Sequence, residues 1–350
     1  MHDNTNLPQE ATRSRFLGLR TRQDLAALLG IDEKKLIYYA DQASSSQTYT
    51  SFSVPKKSGG ARQIKAPVRG LKAIQSALNQ TLQCVYEPEP TAHGFVAERS
   101  IVTNAAVHTG QQLIFNIDLL NFFPSITAER VYMLLLSAPY EMEAAIAMTI
   151  TRLCCADDRL PQGAPTSPVL SNMVCSQMDR ALAQLAITHE CRYTRYADDI
   201  TFSTIQWALP DDLAIISHHP RSVTVGQKLS ELLLGYGFTI NYRKVRVRTP
   251  LERQDVTGLT VNTDPNVTRS YIRQIRAMLH AWEKFGREAA EAEFIQRYDQ
   301  RRRFRRRVSF PAVVSGKISF VSMVRGDDDP VYLRLRRKYE ALIAREGGYA

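Results

Sequence analysis

Apolar residues recur at helical spacing in several parts of the chain. Residues 71–85 carry theirs three or four positions apart, which predicts an amphipathic helix. Two shorter helices are predicted within the first 45 residues. Another is predicted to begin at Ser167 and Pro168, because Ser is a favoured capping residue and Pro a favoured first helical residue. From Thr268 onward the pattern is again helical.

Runs rich in β-branched and aromatic residues predict strands between these helices. The largely apolar run 113–117 is typical of a buried strand. Residues 191–196 and 200–203 predict a β-hairpin closed by a tight Ala-Asp-Asp turn. Further strands are expected at 49–68, as a hairpin closed by Gly-Gly, at 238–247, and at 255–262, with 203–224 as a polar connection. Together these elements indicate an α+β fold.

Composition is that of a globular protein with a large core. The chain has 350 residues, of which 44% are hydrophobic and 23% charged. No apolar run approaches the ~20 residues that span a bilayer, and the polar start lacks a signal-peptide core. The five cysteines form no Cys-x-x-Cys pair, so reduced core cysteines are expected. These features predict a cytoplasmic protein without a membrane partner.

Positive charge is concentrated near the C-terminus. The net charge is +10, and residues 265–350 hold 19 Lys and Arg against 10 Asp and Glu. This segment includes the run 301–307, in which six arginines surround Phe304. A basic appendage on a near-neutral body is typical of a protein that binds a polyanion, and nucleic acid fits better than a membrane surface.

Three aspartates are the candidate catalytic residues. Asp198 and Asp199 lie at the turn of the predicted hairpin, and Asp118 follows the buried strand. Clustered or buried carboxylates need a counter-charge, and hard oxygen ligands favour Mg²⁺. Taken alone, an Asp-Asp pair is usually a solvated turn.

Two further segments have the composition of a nucleotide site. Lys57, Arg62 and Lys65 flank the Gly-Gly turn of the first hairpin, where cations can hold a triphosphate, although charges on a hairpin commonly face water. Gln162 lies in a Gly- and Pro-bearing loop just before a helix N-terminus, where a side-chain amide can approach a nucleotide.

In this order along the chain, these motifs resemble those of a reverse transcriptase. The resemblance rests on Asp118 in its strand, Leu160-Pro-Gln-Gly-Ala-Pro165, Tyr196-Ala-Asp-Asp199, the Lys244 segment and Val256-Thr-Gly258. Two elements resemble the bacterial retron type in particular, namely Asn104-Ala-Ala-Val-His108 and Val256-Thr-Gly258.

The resemblance implies a right-hand polymerase with fingers, palm and thumb. Its palm would be an antiparallel sheet with helices, and its thumb helical and basic. The implied segments are an N-terminal helical accessory segment at 1–48, fingers at 49–110, a palm at 111–264 with finger helices interleaved at about 126–158, and a thumb at 265–350.

The resemblance also implies specific roles in phosphoryl transfer. Two Mg²⁺ ions, with Mn²⁺ as a substitute, would be held by Asp118 and Asp198, assisted by the Leu119 carbonyl and by Asp199. Phe123 would be the gate that excludes a ribose 2′-hydroxyl. The dNTP would be bound by Gln162, Lys57, Arg62 and Lys65, and Lys244 would protonate the leaving pyrophosphate.

For the retron type, the resemblance implies a structured noncoding RNA as the cognate partner. Synthesis would start at the 2′-hydroxyl of an internal guanosine and give multicopy single-stranded DNA linked to RNA. An effector or toxin protein encoded nearby would join the enzyme in antiphage defence. The residues implied in RNA and DNA binding are Asn104, His108, Val256, Thr257, Gly258, Arg301, Arg302, Arg303, Arg305, Arg306 and Arg307. His108 is equally typical of a core histidine.

Two alternatives remain open on the sequence. One is another bacterial reverse transcriptase, of abortive-infection or intron-derived type. The other is a scaffold that binds nucleic acid without polymerase activity, although a scaffold has no need of uncompensated carboxylates.

Overall fold

The structure, a computed structural model, describes residues 7–41, 45–55, 59–218, 221–296 and 309–347. The chain forms two compact units, one of residues 1–100 and 112–247 and the other of residues 101–111 and 248–350. The second unit is therefore assembled from two stretches that lie far apart in the sequence.

Helices dominate both units. In chain order they are α1 (Leu7–Leu17), α2 (Arg22–Leu29), α3 (Glu33–Asp41), α4 (Ser45–Thr48), α5 (Arg69–Val85), α6 (Ile101–Ala106), α7 (Phe122–Ser125), α8 (Ala128–Leu136), α9 (Ala144–Cys154), α10 (Ser167–Thr188), α11 (Gln227–Gly235), a 3₁₀ helix (Tyr242–Lys244), α12 (Arg269–Phe285), α13 (Arg287–Phe294), α14 (Phe310–Arg325) and α15 (Pro330–Gly347). Within the described ranges, none of these helices is both long and apolar enough to cross a lipid bilayer.

Strands form one central sheet and three hairpins. They are β1 (Tyr49–Pro55), β2 (Ala61–Pro67), β3 (Leu113–Asp118), β4 (Arg192–Tyr196), β5 (Asp199–Thr204), β6 (Ala214–His218), β7 (Arg221–Val225), β8 (Arg246–Arg248), β9 (Asp255–Val256) and β10 (Leu259–Thr260). The central sheet has the order β4-β5-β3-β8, and β5 is antiparallel to both of its neighbours. The predicted α+β fold with an antiparallel palm sheet is confirmed.

The central sheet lies in the core of the first unit. All six residues of β3 are buried, as its apolar run predicts, and the Phe115 ring packs 6.2 Å from that of Phe202 on β5. Helix α10 packs against β4. The N-terminal helices belong to the same hydrophobic core, because Phe16, Leu25 and Leu36 are fully buried in it. Residues 7–41 are therefore integral to the first unit.

The second unit combines a small hairpin with a helical bundle. Hairpin β9–β10 packs against α6. Helix α12 is capped by Thr268, whose side chain accepts a hydrogen bond from the Tyr271 N–H. Trp282 on this helix packs near Phe310 and Tyr339, with ring centroids 5.7 and 5.9 Å away. The long amphipathic helices predicted after residue 268 are confirmed for the described residues.

Two local predictions differ from the structure. The predicted strand at 238–247 forms only at β8, and Lys244 ends the 3₁₀ helix, because Asn241 bonds back to Asp118 and bends the chain. The expected polar connection at 203–224 contains most of the hairpin β6–β7, whose strands mix polar and apolar residues. The 1–48, 49–110, 111–264 and 265–350 segmentation stays a prediction; by packing, 101–111 and 248–264 group with the C-terminal helices.

Candidate active site

The three predicted aspartates meet at one end of the central sheet. Asp118 ends β3 and Asp199 begins β5, and the two residues are directly opposite in the antiparallel register. Asp198 lies in the two-residue turn between β4 and β5, and its carbonyl accepts a hydrogen bond from the Leu119 N–H at 2.9 Å. The fold thus brings residues from two distant stretches of the sequence together.

Asp118 is buried and fully engaged. Asn241 Nδ2 donates to Oδ1 at 2.8 Å, and Lys244 Nζ lies 2.5 Å from Oδ2. The Asn241 N–H also bonds the Asp118 carbonyl at 2.8 Å, which fixes the start of the 3₁₀ helix on this strand. Asn241 is a site residue that the sequence analysis missed, since it sits in a predicted strand with no motif to mark it. Lys244 supplies the counter-charge that a buried carboxylate requires.

Two of the three carboxyl groups have a raised pKa. Burial, followed by the Asp118 charge, raises the pKa of Asp198, against the opposing effects of Lys244 and Arg62. Desolvation by the surrounding protein, followed by the negative charges of Asp198 and Asp118, raises the pKa of Asp199 to about 6. Part of the Asp199 residue nevertheless remains exposed to solvent. Excess negative charge accumulates here.

This donor set fits a hard divalent cation. Carboxylate oxygens are preferred Mg²⁺ ligands, and a bound cation would relieve the repulsion that raises the two pKa values. As the side chains stand in the described residues, no group of three or more His, Cys, Asp or Glu is arranged to hold a metal ion. Asp118 in particular is paired with Lys244, so metal binding requires this lysine to move.

A buried ionic network joins strand β4 to helix α10, and the sequence analysis did not find it. Arg195 and Asp179 are fully buried and joined by two hydrogen bonds, at 2.8 Å from Nε and 2.6 Å from Nη2. The Tyr193 hydroxyl donates to the same carboxylate at 2.7 Å. No local signal marks this pair, because Asp179 is followed by Arg180 and Arg195 lies in the polar strand Arg192-Tyr-Thr-Arg-Tyr196.

The segment 91–95 packs backbone to backbone against the hairpin. The Arg195 N–H donates to the Thr91 carbonyl, and the His93 N–H donates to the Arg195 carbonyl. A Cβ at Gly94 would lie 2.6 Å from the Ala197 nitrogen, so only glycine fits. Phe95, which follows with a positive φ of 62°, places its exposed ring 6.1 Å from Phe123 and 6.5 Å from Tyr196.

The predicted nucleotide-binding residues are partly brought together. The Gln162 carbonyl accepts a hydrogen bond from the Lys65 N–H at 2.9 Å, so the loop before α10 lies against β2. The Lys65 side chain pairs with Asp157, and the charge of Arg62 partly offsets the burial that raises the pKa of Asp198. Phe123 is half-buried beside Phe122, at a centroid distance of 5.3 Å. Lys57, like Lys56, lies outside the described residues.

The retron-like elements pack against each other within the second unit. Helix α6 carries Asn104 and lies against β9–β10, and the Thr257 hydroxyl donates to the Ile101 carbonyl at 3.2 Å. Asn104, His108 and Val256 are buried. Their burial places these side chains where α6 packs on the hairpin, and their predicted role in binding RNA or DNA stays a prediction.

The turn of this hairpin is the part that faces outward. Thr257 and Gly258 both have positive φ, 47° and 82°, as a two-residue hairpin turn of type I′ requires. Thr257 is β-branched and strained in this conformation. The predicted RNA-binding arginines Arg301, Arg302, Arg303, Arg305, Arg306 and Arg307 lie outside the described residues.

Comparison with known proteins identifies the family. Residues 54–262 match the family model described as reverse transcriptase (RNA-dependent DNA polymerase). Retron Mx65 reverse transcriptase of Myxococcus xanthus is 38% identical over 301 residues, which cover 78% of this chain and 66% of the relative. Retron Mx162 reverse transcriptase from the same organism is 34% identical, covering 84% and 66%. Retron Ec86 reverse transcriptase of Escherichia coli is 32% identical, covering 77% and 81%.

The matched region contains the whole candidate catalytic cluster, from Asp118 to Lys244. The chain spans just under two thirds of the length of the two Myxococcus relatives and about four fifths of the Escherichia relative. The chain therefore belongs to the reverse transcriptase family, and within it to the retron reverse transcriptases.

Proposed function

We propose that this chain is an active RNA-directed DNA polymerase of retron type. It would copy its cognate noncoding RNA from the 2′-hydroxyl of an internal guanosine and leave multicopy single-stranded DNA joined to RNA. The observation that carries the proposal is the set of three carboxylates at the end of the central sheet, two with raised pKa values. A scaffold would gain nothing from this concentration of charge.

Asp118 and Asp198 would hold two divalent cations, with the Leu119 carbonyl and Asp199 as auxiliary ligands. When bound, Mg²⁺ or Mn²⁺ supplies a lowered pKa for the primer hydroxyl and charge stabilisation for the leaving pyrophosphate. The structure-derived support is the carboxylate donor set and its mutual repulsion.

The chain's own residues would orient the reactants. Arg62 and Lys65, with Lys57, would hold the triphosphate, and Gln162 would position the nucleotide. Phe123 would close the space beside the sugar C2′, so that a ribose hydroxyl clashes. Lys244 would leave Asp118 when the cations bind and donate its proton to the pyrophosphate.

RNA binding would use the exposed basic surface of the second unit. Arg269, Arg273 and Arg276 are exposed at helical spacing along α12, and Arg334 and Arg337 are exposed on α15. Such surfaces bind phosphates without reading sequence, and the outward turn at Thr257 and Gly258 would add a contact specific to the retron RNA.

The biological setting extends the same proposal. The polymerase and its RNA-linked DNA would act in the cytoplasm with an effector or toxin protein encoded nearby, in defence against phage. Loss of the effector would leave DNA synthesis intact, since the catalytic residues all come from this chain.

Purified protein tests the polymerase activity. Extension of a DNA primer on an RNA template should stop when EDTA removes divalent cations, and either Mg²⁺ or Mn²⁺ should restore it. The Asp198→Asn variant should lose about a thousandfold or more in rate, because several kcal/mol of charge stabilisation disappear. Binding of the primed template should remain, since the substitution removes no basic side chain that could contact the nucleic-acid phosphates. Retained synthesis in the variant would refute the assignment.

A further inference from the structure

The hairpin β4–β5 is hydrogen-bonded to helix α10 through the buried guanidinium of Arg195. Arg195 donates from Nε and Nη2 to the two oxygens of Asp179, and both side chains have no exposed surface. Burial alone would lower the pKa of Arg195, but the Asp179 carboxylate holds it well above its usual value. The guanidinium of Arg195 therefore stays charged in the core.

The remaining nitrogen of the guanidinium reaches the turn that carries Asp198. Arg195 Nη1 lies 3.3 Å from the carbonyl oxygen of Ala197, the residue just before Asp198. Ala197 has a φ of 56°, which residues other than glycine rarely adopt. The surrounding structure must therefore maintain this backbone conformation. On its other side the turn lies against Gly94.

A buried ion pair is a costly way to stabilise a core. Apolar side chains of similar size often serve stability equally well or better, so a retained pair points to a demand for one particular geometry. The pair serves the geometry of the Ala197 turn, because Arg195 uses Nε and Nη2 to bind Asp179 and its third nitrogen, Nη1, donates to the Ala197 carbonyl.

We propose that Arg195, locked in place by Asp179, is a positioning residue that fixes the Ala197–Asp198 turn and thereby aims the Asp198 carboxylate at the catalytic cations. This inference rests on the proposed polymerase function. Arg195 itself is buried and touches no substrate.

Two variants separate positioning from stability. Asp179→Leu combined with Tyr193→Phe and Arg195→Met removes the polar groups of the trio Asp179, Tyr193 and Arg195 together. No charge or hydroxyl of the trio is then left unpaired in the core, and the Ala197 carbonyl loses its donor from Arg195. Arg195→Lys keeps the charge beside Asp179 but lacks the planar fork that also reaches Ala197. The matched control is Arg180→Met, which removes an exposed arginine of α10, the helix that carries Asp179, from its pair with Glu89.

We expect the apolar triple variant to unfold within a few degrees of the wild type and to bind primed template normally. Its single-turnover extension rate should fall by about tenfold to a hundredfold. The Mg²⁺ concentration needed to stabilise the free protein against thermal unfolding should rise by about tenfold. The reason is that Arg195, which contacts no metal itself, no longer orients the Asp198 carboxylate. Arg195→Lys should shift both readouts in the same direction, and Arg180→Met neither.

Three results would overturn the proposal. A folded triple variant with wild-type rate and wild-type Mg²⁺ dependence would show that the trio aims nothing. A loss of rate without a change in Mg²⁺-linked stabilisation would also remove the positioning role. Unfolding of both variants would make the trio a stability element only. If wild-type protein itself made no DNA, the proposed function would fail instead, which the wild-type assay reports separately.

Discussion

Asp199 combines an exposed position with a perturbed acidity. Surrounding protein and the charges of Asp198 and Asp118 raise its pKa to about 6. In the unfolded chain it titrates near 3.8. Between these values the folded protein binds a proton that the unfolded chain does not, so lowering the pH through about 6 stabilises the metal-free fold.

We expect Asp199→Asn to remove part of this pH dependence. Between pH 7.5 and pH 5 the wild-type protein should gain about 1 kcal/mol more in unfolding free energy than the variant does, a small amount because solvent screens an exposed carboxyl. Denaturant titrations of both metal-free proteins at the two pH values measure the difference. Identical pH dependence in the two proteins would contradict the raised pKa.

Phe123 is the second residue with a discrete, measurable role. Its half-buried ring is supported by Phe122, so it cannot easily swing away from the site. In Phe123→Val, ribonucleotide incorporation relative to deoxynucleotide incorporation should rise by about tenfold to a hundredfold. The ratio of kcat/KM values for matched dNTP and rNTP measures this, with the dNTP rate as internal control. An unchanged ratio would mean that another side chain forms the gate.

At the scale of elements, the catalytic hairpin β4–β5 depends on its contact with the segment 91–95. We expect Gly94→Ala to disturb the turn, because the new methyl group would lie 2.6 Å from the Ala197 nitrogen and 3.2 Å from the Tyr196 Cα. Both are backbone atoms and cannot rotate away.

DNA synthesis by Gly94→Ala should fall at least about tenfold while the secondary structure by circular dichroism stays unchanged. Gly235→Ala is the matched control, since a methyl group there meets nothing within 4 Å and the residue ends α11. Equal activity of the two variants would show that the turn tolerates displacement.

Sequence patterns predicted the elements whose burial is uniform. Strand β3 and the hairpin β4–β5 follow from apolar and β-branched runs, and α10 follows from its Ser167–Pro168 start. Hairpin β6–β7 was missed because its strands mix polar and apolar residues without a regular pattern. The Lys244 segment was predicted as a strand, but one backbone hydrogen bond from the Asn241 N–H to Asp118 overrides its strand propensity.

The candidate site was predictable only where chemistry and pattern coincide. Three acids in apolar surroundings mark themselves, since a buried carboxylate needs a reason. The Asp179–Arg195 pair and Gly94 depend on contacts between α10, β4 and the segment 91–95, which no local pattern encodes. The same limit explains why residues 101–111 could not be grouped with 248–350 from sequence.

At the scale of the whole molecule, charge should govern RNA binding. The excess of Lys and Arg lies after residue 264, and Arg273 and Arg276 are exposed on α12. Replacing both with Gln should weaken binding of a structured RNA. It should also reduce the slope of log Kd against log salt by about 1 to 2, because fewer counterions are released on binding when fewer phosphates are contacted.

The control for this change is Arg15→Gln with Arg20→Gln, which removes the same charge from two exposed positions of the first unit, one in α1 and one in the loop that follows it. Nitrocellulose filter binding across a range of salt concentrations compares the pairs. Equal slopes for the two double variants would mean that net charge, and not the α12 surface, determines RNA affinity.

The central claim is that this chain primes DNA synthesis from its own RNA by means of its aspartate cluster. The most direct measurement is to express the chain together with the genomic segment upstream of its gene, and to analyse the extracted nucleic acid before and after RNase and debranching treatment. The wild-type chain should yield a short single-stranded DNA whose size shifts on debranching, and the Asp198→Asn chain should yield none. A product that persists in Asp198→Asn, or wild-type DNA that is insensitive to debranching, would contradict the account.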